Sequence, residues 1–233
     1  MKVAIMQPYI FPYVGYFQLI KAVDVFVFYD DVNFIKKGYI NKNTILLEGK
    51  AHDFTLPCHK ISQNKLINET YVAYDNPAFD KLIKTFDVAY KSAPNYEFVK
   101  PLFYRALNGK PLSIAELAEH SVIEVCKYLG LKTQFLTASK LNLDNRHLNR
   151  ADRLIDTTTQ LDSNYYINAI GGQKLYSKDY FEERNVKLDF LQPNLKKYDQ
   201  GMEQFIPGLS IIDALMWCSI EEVIGLLEDY QLV

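Results

Sequence analysis

Two short stretches bring together residue types that chemistry uses. The first, QPYIFPYVGYFQ at residues 7–18, sets Tyr13 and Tyr16 around Gly15, with Gln7, Pro8 and Tyr9 before them and Gln18 after. A glycine at a helix start lets a ligand approach free backbone N–H groups, where the helix dipole favours a phosphate or carboxylate. The two Tyr hydroxyls can add neutral hydrogen bonds, the prolines hold the loop rigid, and Gln7 can read a polar ligand group. The second stretch, DDVNFIKKGYINKN at 30–43, opens with Asp30 and Asp31 and continues through Lys36, Lys37, Tyr39, Asn41 and Asn43. Carboxylates at a strand end can orient a cation, an amine or a metal ion, and lysines on a glycine loop can neutralise phosphate. Neighbouring residues of a strand point to opposite faces, so at most one of Asp30 and Asp31 is expected to face a ligand. The catalytic candidates are therefore Tyr13, Tyr16, Lys36, Lys37, Asp30 and Asp31. Gln7, Pro8, Tyr9, Gly15, Gln18, Tyr39, Asn41 and Asn43 are the binding candidates of these loops.

The second half offers weaker signals. Gly171 and Gly172 follow an apolar run, with Lys174 close behind, and backbone amides at a Gly-Gly turn can cradle an anion. Ser210 and Asp213 lie in an apolar helical stretch, either as a cap with a buried polar contact or as a pocket pair. Asn149, Arg150, Asp152 and Arg153 read as a helix start with surface ion pairs, and Met216, Trp217 and Cys218 as core. Cys58, Cys126 and Cys218 are far apart and in apolar contexts, which suits buried reduced thiols, and the four His show no ligand spacing. No metal site is predicted.

The apolar pattern supplies the frame. KVAIM at 2–6 is a buried strand, 15–22 a helix, and DVFVFYDD at 24–31 a strand. Strand, helix, strand in this space is a βαβ unit with parallel strands and a right-handed crossover. TILLEGKAHDFTLP at 44–57 predicts a hairpin turning at Glu48-Gly49-Lys50, and 68–74 is expected to add a strand. Asp75-Asn76-Pro77 opens a block of three helices that ends at Leu129-Gly130. Strands at 133–139, 165–170 and 186–191 then alternate with helices at 149–161 and 178–185, and two helices follow at 209–218 and 219–230, capped by Ser210 and Ser219. The fold class is α/β: a Rossmann-like, mostly parallel sheet with a helical block inserted at about 75–130. The expected organisation is one domain over 1–233, with a βαβ unit and hairpin in 1–74, the block in 75–130 and a second α/β half in 131–233. Ligands of such sheets bind beyond the carboxyl ends of the strands. Loops 7–16 and 30–43 follow the first two strands, so both should open on that edge.

With 233 residues, 48% of them hydrophobic, the chain can bury a sizeable core. A net charge of -2, from 26 basic and 28 acidic residues, argues against bulk nucleic-acid binding. No apolar run approaches the roughly 20 residues of a membrane span, and MKVAIMQPY is too short for the apolar region of a signal peptide. A cytoplasmic location is expected, and the oligomeric state is left open.

IMQPYIFPYVGYFQLI followed by FVFYDDVNFIKKGYINKN resembles the opening of the WbqC-like family, and PGLSIIDALM resembles that family's C-terminal block. The resemblance covers nearly the whole chain. It implies a place in bacterial O-antigen or other surface-polysaccharide synthesis, and a glycine or amino-acid transferase role. A more distant resemblance is to nucleotidyltransferases with a HxGH motif, such as pantothenate synthetase. There two histidines flank the glycine and meet ATP phosphates at a helix N-terminus; here Tyr13 and Tyr16 stand in their places. Tyrosine donates a hydrogen bond but carries no positive charge at neutral pH, so charge would have to come from Lys36, Lys37 or Lys174.

These resemblances imply three readings. One is an enzyme that attaches an amino acid, glycine among the candidates, or a related acyl group to an amino sugar nucleotide, with ATP as cofactor through an acyl-adenylate. In the second, the group comes from a preformed donor such as a charged tRNA or thioester. In the third, the protein binds sugar nucleotide or serves as a scaffold of glycan assembly without turnover. The expected partners are a sugar nucleotide and an amino-acid or acyl donor.

Overall fold

VAIM and VFVF are unbroken apolar runs, the pattern of parallel strands covered on both faces. They form β1 (Val3–Met6) and β2 (Val25–Phe28), joined by α1 (Val14–Lys21). The computed structural model describes residues 1–233, the side chain of Asn108 apart. Next in the chain come β3 (Lys42–Leu47) and β4 (Lys50–Thr55), then α2 (Pro77–Tyr90), α3 (Tyr96–Asn108) and α4 (Ile114–Tyr128). The second half holds β5 (Gln134–Thr137), α5 (Arg150–Gln160), β6 (Tyr165–Ala169), α6 (Lys178–Glu182) and β7 (Lys187–Pro193). It ends with α7 (Ile211–Trp217), α8 (Ile220–Glu228) and β8 (Tyr230–Leu232).

The main sheet runs β5-β2-β1-β6-β7-β8, with every neighbour parallel except β8 on β7. Leaving out the separate β3–β4 hairpin, this is the Rossmann order 3-2-1-4-5-6. Register fixes which loops share an edge. Met6 pairs with Phe28 and Phe28 with Thr137, so the chain leaves β1, β2 and β5 level with one another. Alternation along the strands sends Ala4, Phe26 and Phe28 to one face, under α1, α4 and α8, and Val3, Ile5, Val25 and Val27 to the other, under α5 and α6.

Local chemistry sets the boundaries. Asn76 caps α2 by accepting from the Ala78 N–H, ahead of Pro77 at the first helical position. Ser113 and Glu116 form a capping box that starts α4, and Ser219 and Glu222 do the same for α8. The hairpin turns at Glu48 and Gly49, both with positive φ. Two expectations need correction. Residues 68–74 form no strand: Ile67–Glu69 is a short 3-10 turn, and Val72 and Tyr71 make single bridges to Cys58 and Ser113. The C-terminal helical stretch stops at Glu228, and Tyr230–Leu232 pairs antiparallel with β7.

Candidate functional site

The loop after β1 is held in a strained form. Phe11 has φ 40 and is fully buried, a conformation that a bulky residue adopts only when its surroundings enforce it. Asn43 donates from its amide to the Ile10 and Phe11 carbonyls, Ser210 Oγ donates to the Phe11 carbonyl at 2.7 Å, and the Phe11 N–H donates to Ser121 Oγ at 3.0 Å. Asn43 and Ser210 are thus framework residues that fold the loop. Asn43→Ala is expected to lower the unfolding free energy by about 1–3 kcal/mol, the cost of leaving buried carbonyls without a donor. A reduced urea midpoint at unchanged slope would show it.

Several other sequence candidates are also committed to the frame. The Gln18 amide, fully buried, donates to the carbonyls of Asn194, Leu226 and Asp229, clasping α1 to the C-terminal segment. Asn41 donates to the Leu56 carbonyl at 2.8 Å. Asp213, fully buried, accepts from Tyr90, Tyr198 and Gln200, and burial raises its pKa. The Ser210–Asp213 pair is therefore a cap and a buried anchor, not the wall of a pocket.

At Gly15 the helix start is covered. A β-carbon there would stand 2.5 Å from the Tyr13 ring and 2.8 Å from its hydroxyl, because Tyr13 lies across the glycine. Tyr16 is buried, its hydroxyl donates to the Gln7 carbonyl at 2.8 Å, and burial holds that phenol well above its ordinary pKa. In this arrangement the Tyr13 ring occupies the space over Gly15, so a phosphate at that helix start would require the ring to swing aside. Pro8 is buried and Gln7 half-buried. The two loops do meet: Ile10 N–H donates to the Tyr39 carbonyl at 3.3 Å, and the Tyr9 ring lies 5.6 Å from Tyr16 and 6.0 Å from Tyr39. Lys36 and Lys37 project into solvent with no ion-pair partner among the described residues. Across the sheet, Gly172 is packed against the Asn168 amide, while Gly171 and Lys174 are exposed. The structure does not gather these glycines and lysines into one pocket with Tyr13.

The two aspartates part company. Asp31 accepts from Arg153 Nη2 at 2.6 Å and Arg146 Nε at 3.0 Å. Arg153 is itself buried, stacks on Tyr29 at 4.7 Å and donates to Asn145, so the expectation of a surface ion pair at Arg153 is corrected. Asp30 is turned the other way. It accepts from Ser139 N at 2.9 Å, Ser139 Oγ at 2.6 Å and Asn68 Nδ2 at 3.0 Å.

On the Asp30 side a cavity of about 180 Å³ opens between the ends of β2 and β5 and the start of α4. Asp30, Asn68, Thr137, Ser139 and Lys140 line it from the sheet side, and Ser113, Glu116 and Glu119 from α4. Glu119 is a candidate that residue spacing alone does not bring forward. It is 8% exposed and accepts from Thr137 Oγ1 at 3.0 Å. Burial is the main cause that pushes its carboxyl up to about 7; the Thr137 hydroxyl and Lys140 pull downward, and Asp30 and Glu116 push further up. A carboxyl balanced near neutral pH in a cavity at the ligand edge can take up and return a proton. The signal was present: Glu119 interrupts the apolar face of α4 between Ala115 and Val122.

The WbqC-like protein family model matches residues 7–224. A Mycobacterium tuberculosis (strain ATCC 25618 / H37Rv) protein described as uncharacterized protein Rv1507c is 24% identical over 221 residues, covering 92% of each chain. No solved structure matches. No helix among the described residues is long and apolar enough to cross a membrane. Matched over nearly its whole length, from the loop after β1 into α8, the chain belongs to the WbqC-like protein family.

Proposed function

We propose that the protein is an enzyme of bacterial surface-polysaccharide biosynthesis that transfers an acyl or aminoacyl group, glycine among the candidates, from a preformed donor to the amine of an amino sugar nucleotide. The observation that carries this reading is the cavity at the β2–β5 edge, with the buried Glu119 carboxylate on its wall. Glu119 first takes a proton from the acceptor ammonium and passes it to solvent; as the freed amine nitrogen attacks the donor carbonyl carbon, Glu119 takes the second proton that nitrogen must lose. The bond from the carbonyl carbon to the donor's thioester sulfur or ester oxygen breaks, and the Glu119 proton passes to that leaving group. Family membership supports the biosynthetic setting, and the Tyr13 ring over Gly15 favours a preformed donor over ATP activation at that helix.

The test incubates the purified protein with acyl thioesters or aminoacyl-tRNA and a panel of amino sugar nucleotides, with and without ATP, and follows new amide by mass spectrometry. Amide formation indifferent to ATP is the expected result. Product that requires ATP, with AMP or pyrophosphate released, would replace this reading with a ligase. Sugar-nucleotide binding without any amide would leave a binding protein instead.

A further inference from the structure

Buried charges need partners, because desolvation makes a lone one costly. Asp31 has two arginines. Asp30 and Glu119, 3% and 8% exposed, have no Lys, Arg or His within ion-pair distance among the described residues. Asp30 is satisfied by three neutral donors. Glu119 is not: Thr137 bonds one carboxylate oxygen, while Oε1 receives no hydrogen bond among the described residues and is not sealed from the cavity. Glu116, on the same wall, adds a third negative charge, against Lys140 alone. The cavity thus carries an excess of negative charge and one unused acceptor on a largely buried side chain. Among the described residues no three carboxylate, His or Cys side chains converge as they would on a metal ion. The mouth is different in kind: Tyr71 and Leu112, 51% and 74% exposed, form an apolar edge.

We propose that this cavity binds a primary amine as its ammonium form, with the nitrogen donating to Glu119 Oε1, the fields of Asp30 and Glu116 reinforcing the charge, and an apolar face of the ligand resting on Tyr71 and Leu112. This deepens the amine-acceptor reading above and rests on it for the identity of the site, but not for turnover. The site selects on charge, so it takes an amine and refuses its amide. The same feature frees the product, since acylation removes the positive charge that held the substrate.

Titration calorimetry of the full chain with D-glucosamine and with N-acetyl-D-glucosamine tests this. Glucosamine is expected to bind about tenfold or more tightly than its N-acetyl derivative, the scale of a hydrogen bond between charged groups. Glu119→Gln and Tyr71→Ala should each weaken glucosamine binding while the circular dichroism spectrum stays unchanged. Equal binding of the two sugars, or glucosamine binding indifferent to Glu119→Gln in a folded protein, would overturn the proposal. Selective binding without amide formation would uphold this site and defeat the transferase reading. Amide formation by a protein that does not distinguish the two sugars would do the reverse.

Discussion

Replacing Glu119 by Gln is expected to lower kcat/KM for amine acylation by about 100- to 10,000-fold, the usual contribution of a positioned general base. The wild-type profile should rise with pH through a midpoint near 7, where burial places this carboxyl, and the residual activity of the variant should lack that limb. Burial is the main determinant of the midpoint, which the Thr137 hydroxyl and Lys140 lower and Asp30 and Glu116 raise. The same substitution should change stability in a pH-dependent way. In the folded chain the carboxyl titrates at about 7, against an ordinary value of 4.5, so the folded state holds the proton more tightly. Its contribution is intact below pH 4.5 and is lost as pH rises through about 7. Above that, ionising Glu119 costs the wild type about 3 kcal/mol, at ~1.36 kcal/mol per pH unit between the two values. Glutamine never ionises. Urea melts should therefore show Glu119→Gln gaining on the wild type by about 2–3 kcal/mol between pH 5 and pH 8. A constant difference across that range would show that Glu119 titrates normally.

The largest loss of stability is expected at the other aspartate. Arg153→Ala removes the buried partner that holds Asp31 at 2.6 Å and leaves a carboxylate 5% exposed, with its Oδ1 already lacking a hydrogen bond. Breaking a buried pair from one side costs about 3–5 kcal/mol. In a chain of this size that is a fall in Tm of roughly 6–20 °C. Arg146, whose side chain is 56% exposed, binds the same oxygen from the solvent side, and Arg146→Ala should cost no more than about 1 kcal/mol. Thermal melts of the two variants give the comparison. Equal losses would mean that the buried arginine does not dominate.

What could be read from the chain follows from the range of the interactions. β1, α1, β2 and the hairpin are set by nearest neighbours: apolar runs, Gly15 at a helix start, and Glu48-Gly49 at a turn. Their positions, and the common edge on which the loops after β1 and β2 open, were legible. Strand β8 was not, because three residues, Tyr230–Leu232, carry no periodicity of their own and are fixed by pairing with Leu191–Pro193. The site was legible only in outline. Asp30 and Asp31 stood out at a strand end, but their separate fates depend on Ser139, 109 residues away, and Arg153, 122 away. No local spacing announces either. Gln18, Asn43 and Asp213 looked like ligand-reading polar groups. In a fold with a strained loop and a long C-terminal segment, such groups are consumed in tying backbone to backbone. Glu119 left the clearest unused signal, a carboxylate on the apolar face of a helix whose phase the Ser113–Glu116 box had already set.

The proposed site stands or falls on Glu119 being a buried carboxyl poised near neutral pH and open to an amine. Carbon-13 NMR titration of its side-chain carboxyl, assigned by comparison with Glu119→Gln, measures this without knowledge of the donor. The expected result is a midpoint near 7 that moves downward when glucosamine is added, because an ammonium favours the ionised form. A midpoint at the ordinary carboxylate value of 4.5, unmoved by the amine, would contradict it.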